Sequence, residues 1–206
     1  MEALILVDLQ NDFMPGGALA VREGDLVVPV ANRLMPHFKL VIATQDWHPQ
    51  DHRSFAASHP GKQPGDVIDL HGLSQVLWPV HCVAGTPGAA LYRTLDQKRI
   101  TETIRKGMNR EIDSYSGFFD NGHRQATGLE QRLARDGVKA VTILGLATDY
   151  CVKFTALDAV RLGFKTRLVQ DGCRGVELKP GDVEHALDEM RQAGVSLCLA
   201  DDLLRP

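Results

Sequence analysis

Short unbroken apolar runs alternate along the chain with stretches of helical periodicity. Ala3-Leu-Ile-Leu-Val7 ends at Asp8, and Val41-Ile-Ala43 ends near Asp46. A weaker strand, 101–105, ends at Lys106, and 141–144, 166–169 and 195–199 complete the predicted set. Between them, the segment from Asp25 to His37 places Leu26, Val30 and Leu34 on one face. Thr127-Gly-Leu-Glu130 reads as a capping box for a helix that closes at Gly137. A third helical pattern opens at Cys151, carries Val152, Ala156, Ala159 and Val160, and stops at Gly163. The last runs from Pro180 to Ala193 and closes at Gly194. Strands without polar alternation, separated by helices, predict a parallel sheet covered on both faces, an α/β fold. The stretch from Pro49 to Thr86 has no such period and is rich in Gly, Pro, His and Asp, so it predicts a long functional loop.

Composition narrows the class. With 206 residues the chain is expected to form one domain, 1–206, large enough to bury a core without staples. A formal net charge of -3 and the lack of any Lys/Arg-rich run argue against nucleic acid or an anionic membrane as partner. The four cysteines, Cys82, Cys151, Cys173 and Cys198, are widely spaced and form no CxxC, which speaks against a disulfide framework or a thiolate zinc site. No apolar run has membrane-spanning length, and the N-terminus does not read as a signal peptide. A reducing cytoplasm is the expected location.

The chemistry gathers at strand ends. Ligands of open parallel sheets bind beyond the carboxyl ends of the strands. Asp8, Asp46, Lys106 and Cys151 all fall there. A thiol between a strand and a helix is expected to face free N–H groups that favour thiolate and can hold the oxyanion of a tetrahedral intermediate. Cys151 would then attack a carbonyl carbon. Asp8 would take the thiol proton and return it to a leaving amine, and Lys106 would stabilise negative charge on sulfur. Taken singly, Cys151 could be a buried structural cysteine, Asp8 a loop cap and Lys106 a solvated charge. A second constellation, Asp46-Trp-His48-Pro-Gln-Asp-His52 with His81 in Trp78-Pro-Val-His81-Cys82, offers imidazole and carboxylate donors suited to Zn²⁺, Fe²⁺ or Mn²⁺. A polar surface loop is the alternative, since His59 and His71 also lie in this stretch.

Asp8-Leu-Gln-Asn-Asp-Phe13-Met-Pro-Gly-Gly17, Asp46-Trp-His48-Pro with His52, Trp78-Pro-Val-His81-Cys82, Lys106-Gly107, Asp113-Ser-Tyr-Ser-Gly-Phe118 and Gly145-Leu-Ala-Thr-Asp-Tyr-Cys151-Val together resemble the nicotinamidases of the isochorismatase-like cysteine hydrolase superfamily. The resemblance spans nearly the whole chain. It implies a three-layer α/β/α sandwich with a six-stranded parallel sheet. It also implies metal-dependent hydrolysis of nicotinamide to nicotinate and ammonia through a covalent thioester, in NAD salvage, with pyrazinamide as a second substrate. The catalytic set would be Asp8, Lys106 and Cys151. One divalent metal, Zn²⁺ in the first place, would sit on Asp46, His48, His52 and His81, in a metal-binding region of about 46–86. Phe13 and Trp78 would sandwich the pyridine ring, with Tyr115 and Leu146 as walls. A cis peptide at Leu146–Ala147 would aim the Ala147 N–H, together with that of Cys151, at the substrate oxygen. Tyr150 stands where some members carry His, which bears on substrate preference. Two other readings compete: a cysteine amidohydrolase of ureido or carbamoyl substrates, and a non-catalytic binding protein on the same fold. The intact metal motif weighs against the first, and the presence of Asp8, Lys106 and Cys151 against the second. A homo-oligomer is left open.

Overall fold

Strand β1 (Glu2–Val7) lies near the middle of a six-stranded sheet, and its last five residues are buried. In the computed structural model, which describes residues 1–204, the sheet has the order β5-β2-β1-β6-β7-β8, with every neighbouring pair parallel. The other strands are β2 (Val41–Asp46), β5 (Glu102–Lys106), β6 (Ala140–Leu146), β7 (Lys165–Arg174) and β8 (Ser196–Cys198). Helix α1 (Val27–Leu34) packs on β6 and β7 and against α5 (Ala200–Leu204), whereas α3 (Lys153–Arg161) packs on β7 and against α4 (Asp182–Gln192). The architecture is the α/β/α sandwich that the alternation of strand and helix predicts. Such a sheet needs apolar residues on both faces, and Leu4, Ile5, Leu6, Ile42, Ile143 and Leu168 are all fully buried. No helix among the described residues is long and apolar enough to cross a membrane.

Several elements depart from the sequence reading. β2 runs on through Thr44 and Gln45 to Asp46, because those polar side chains find partners at the strand's end. The stretch 49–86 is not wholly irregular: β3 (Val67–Leu70) and β4 (Leu73–Val76) form an antiparallel hairpin. Its one-sided burial is too weak a period to show in so short a sequence window. Helix α2 (Leu129–Arg135) starts beside Thr127, whose hydroxyl accepts the Leu129 N–H at 3.2 Å and donates to the Gly117 carbonyl at 2.6 Å. Glu130 does not close the expected box, since Gly128, with φ +101°, occupies the cap position. Cys151 lies inside a single π turn, Thr148–Val152, that precedes α3, rather than at the first residue of an α-helix.

The order of strands matters for the site. The chain leaves β1 toward β2 on one side and returns to β6 on the other, so a crevice opens between the carboxyl ends of β1 and β6. Lys106, Asp46, Asp8 and the Cys151 turn end or follow β5, β2, β1 and β6, four successive strands of the sheet.

Candidate active site

Asp8 follows β1 in the left-handed region, with φ 51°, a conformation that Asp tolerates better than most side chains. The turn swings its carboxylate across the rim toward β2. Thr44 Oγ1 donates to Asp8 Oδ1 at 2.6 Å and accepts the Asp8 N–H at 3.2 Å. Asp46 and Lys106 are register partners at the ends of β2 and β5, so their side chains leave the sheet together. Lys106 Nζ donates to Asp46 Oδ1 at 2.6 Å, to the Ser114 carbonyl at 2.9 Å and to Cys151 Sγ at 3.3 Å. These three bonds use all its protons. Asp8 Oδ2 lies 2.8 Å from the same nitrogen as a buried ion pair. Beside this pair lies Cys151, whose sulfur is within 4.8 Å of oxygens of Asp8 and Asp46.

Burial and charge set the protonation states. Burial pushes Lys106 down, but Asp46, Asp8 and Cys151 together outweigh it and hold the ammonium well above its ordinary value. Burial raises Asp8 against the pull of Lys106. Asp46 is lowered: burial opposes its charge, and Lys106 and His48 overcome burial. The Cys151 thiol is pushed well up, first by burial and then by Asp8 and Asp46, with Lys106 pulling the other way. The expectation of a resting thiolate is therefore corrected. Two carboxylates and a dry site outweigh one ammonium, so the sulfur favours its proton.

Three of the four expected metal ligands meet at the edge of this centre, and the fourth lies beside them. Oxygen or nitrogen atoms of Asp46, His48 and His81 lie within 4.8 Å of one another, and His52 joins through His48, whose ring centroid is 4.5 Å away. His48 Nδ1 lies 2.9 Å from the Gly107 carbonyl and His81 Nδ1 lies 2.8 Å from that of Pro79. A carbonyl only accepts, so both rings carry hydrogen on Nδ1 and turn Nε2 inward. Those nitrogens face Asp46 Oδ2 at 3.5 and 3.9 Å. Nε2 of His48 is buried without a hydrogen-bond partner, whereas His52 Nδ1 accepts the Ser54 N–H at 3.1 Å, so a neutral His52 ring carries its hydrogen on Nε2. Burial and then His48 push His81 down to about 4, and burial lowers His52, so both are neutral near pH 7 as metal ligands must be. Buried lone pairs converging on a carboxylate repel unless a cation lies among them. The residues fit a divalent ion with nitrogen and oxygen ligands. Gly107 permits the close approach: its φ is +65°, and a Cβ there would run into the His48 ring.

The expected ring-binding residues line the same region. Phe13 is buried with its ring 5.6 Å from that of His81. Trp78 Nε1 donates to the Tyr115 hydroxyl at 3.1 Å, which also accepts from Gln75 Nε2 at 3.0 Å. Tyr150 stands edge-on to Trp78 at 4.8 Å. Leu146 is buried at the end of β6, and its bond to Ala147 is cis. The Ala147 carbonyl accepts the N–H groups of Tyr150 and Val152 at 3.1 Å each, which ties the π turn together. Thr44 escaped the sequence reading, and Gln10, Asp113 and Ser114 entered it only as parts of motifs, with no role assigned. A signal existed for Thr44, in the polar residues that end an otherwise apolar strand. Asp113 groups with His48 and His52, a closeness no spacing could reveal.

Fold and site define a class: a cysteine hydrolase with a buried thiol beside a carboxylate and an ammonium, and next to them a group of residues that could hold a metal ion. Residues 2–202 match the family described as Isochorismatase domain. The nicotinamidase of Escherichia coli (strain K12) is 53% identical over 204 residues, covering 97% of this chain and 95% of that protein. A solved nicotinamidase/pyrazinamidase of Acinetobacter baumanii superposes with a TM-score of 0.96 at 48% identity, covering 98% of this chain and 97% of that one. A pyrazinamidase of Pyrococcus horikoshii, solved in complex with zinc, gives a TM-score of 0.78 at 41% identity over 96% and 98% of the two chains. The chain belongs to the isochorismatase family and, within it, to the nicotinamidases.

Proposed function

We propose that this protein hydrolyses nicotinamide to nicotinate and ammonia, and pyrazinamide likewise, as a single-domain cysteine amidohydrolase. The observation that carries the reading is the buried Asp8 carboxylate, with an oxygen within 4.8 Å of the Cys151 sulfur and Oδ2 2.8 Å from Lys106 Nζ. A buried thiol needs a proton acceptor at the moment of attack. Cys151 Sγ forms a bond to the amide carbon as its proton passes to Asp8 Oδ2. The carbonyl π pair moves to oxygen, which the N–H groups of Ala147 and Cys151 hold. The C–N bond breaks as Asp8 returns the proton to nitrogen, releasing ammonia and leaving a thioester on Cys151. Asp8 then takes a proton from water, whose oxygen attacks the thioester carbon. Nicotinate leaves, and the sulfur regains its proton.

Lys106 opposes protonation of both carboxylates and offers a hydrogen bond to sulfur as negative charge develops there. Phe13 and Trp78 present two aromatic faces to the pyridine ring, and Tyr115 and Leu146 bound it. Asp46, His48, His52 and His81 would hold one divalent ion, with Zn²⁺ the first choice, supported by their donor set and by the zinc complex of the Pyrococcus horikoshii pyrazinamidase. When bound, it supplies a ligand position for the ring nitrogen and orients the substrate. The test is ammonia release from nicotinamide by the purified chain, with metal content measured on the same sample. Absence of ammonia from metal-loaded protein refutes the reading.

A further inference from the structure

The segment from Asp8 to Phe13 enters the reaction only at its two ends. The three polar residues between them all reach across to the chain that carries the proposed metal ligands. Gln10 is fully buried. Its Oε1 accepts the Asp46 N–H at 2.8 Å, and its Nε2 donates to the carbonyls of Asp46 at 2.8 Å and Ala89 at 2.9 Å. The register of β1 with β2 pairs Leu4, Ile5 and Leu6 with Val41, Ile42 and Ala43. Beyond it, one side-chain amide satisfies both peptide groups of Asp46 as a neighbouring strand would. Asp12 Oδ2 accepts the Cys82 N–H at 2.7 Å, and the Cys82 carbonyl accepts the His48 N–H at 3.0 Å. Cys82 follows His81 directly and sits in the left-handed region, with φ 46°, a conformation that needs support. Gly88 closes over the bond: its carbonyl accepts the Asp12 N–H at 3.0 Å, and a Cβ on it would run into the Asp12 carboxylate. Asn11 differs. Its Nδ2 donates to the Pro87 carbonyl at 2.7 Å on the exposed rim, away from any proposed ligand.

We propose that Gln10 and Asp12 are positioning residues for the metal site, Gln10 through the peptide of Asp46 and Asp12 through the peptide of Cys82 to His81 and His48. The inference rests on the metal reading given under Proposed function. It makes the loop that carries the proton acceptor also the support of the metal ligands, so neither half of the site can shift without the other.

The test is Co²⁺ titration of chelator-stripped full-length protein, followed by the visible absorption of the bound ion, with circular dichroism as the check on folding. Gln10→Met removes three hydrogen bonds at nearly constant volume, and Asp12→Ala removes the acceptor for Cys82. Each is expected to weaken Co²⁺ binding by about 10–100-fold, the range for loss of a ligand's outer support, and to alter the absorption band. Asp12→Asn keeps an oxygen acceptor and restores affinity. Asn11→Ala, from the same loop, stays close to wild type. Unchanged affinity in Asp12→Ala overturns the inference, as does a loss in Asn11→Ala equal to that in the other two, which would mean general loosening of the loop. If Gln10→Met fails to fold, the Asp12→Ala and Asp12→Asn pair decides. A wild-type chain that binds no Co²⁺, or binds it equally well as His48→Ala, refutes the metal reading itself, an outcome distinct from a wild-type chain that binds and variants that match it.

Discussion

Replacing Asp8 by Asn separates the reactivity of the thiol from its usefulness in catalysis. The side chain keeps its shape, and the Thr44 hydroxyl can still pair with it by donating or accepting. What disappears is the carboxylate beside Cys151 that can take up the thiol proton. An amide oxygen does not carry a proton from thiol to leaving nitrogen. General acid–base catalysis contributes about 10²–10⁴-fold. Asp8 would serve both the acylation and the hydrolysis of the thioester, so the loss is expected near the top of that range, about 5 kcal/mol at about 1.4 kcal/mol per tenfold. The interaction exists only in transition states, so kcat and kcat/KM fall together while KM stays within a few-fold. The thiol should move the opposite way. Asp8 is among the groups that raise the Cys151 thiol, after burial, while Lys106 lowers it. Removing the carboxylate leaves Lys106 and Asp46, so Cys151 becomes more acidic and iodoacetamide labels it faster than in wild type at neutral pH. The assays are ammonia release and mass-spectrometric labelling rates on the same preparations. A variant that keeps more than about a tenth of wild-type kcat, above the floor for losing such a group, refutes the role of Asp8. Slower labelling that tracks lost activity refutes the charge argument.

Other outcomes follow from the same geometry. Cys151→Ala should abolish turnover with the melting profile and metal content retained, because the nucleophile is also the smallest buried group in the centre. Lys106→Ala should shift Cys151 alkylation to higher pH, since the cation that lowers the thiol is gone while Asp8 and Asp46 remain; an unchanged profile removes Lys106 from that role. Benzamide lacks the ring nitrogen and should fall far below nicotinamide in kcat/KM with metal-loaded protein, the gap closing once the metal is stripped; equal hydrolysis of both by loaded protein refutes the proposed function of the ion. In the native fold Cys198, only partly buried, should be alkylated before Cys173, whose thiol is pushed up to about 12 by burial, and mass spectrometry of timed samples reads the order.

Much of the architecture was legible because a buried parallel strand must be apolar on both faces. Ala3-Leu-Ile-Leu-Val7 can hardly do anything else, and reactive residues at the ends of such runs must share one rim. The motifs also carried the proposed ligand types and the proposed nucleophile, since each chemistry restricts residue identity. The β3–β4 hairpin stayed hidden because its strands are four residues each and only partly buried. What no spacing contains is the state of the site. Whether Cys151 rests as thiol or thiolate depends on the balance of two carboxylates, one ammonium and dryness within a few ångströms. Only the order β5-β2-β1-β6 brings those groups together. The same holds for Gln10 and Thr44. In the chain they are ordinary polar residues, and they acquire meaning once adjacent strands end at different heights and leave the peptide of Asp46 and the carboxylate of Asp8 to be satisfied by side chains. Hydrophobic period is a local property of the chain, whereas hydrogen-bond saturation and desolvation are set by neighbours that the sequence holds dozens of residues apart.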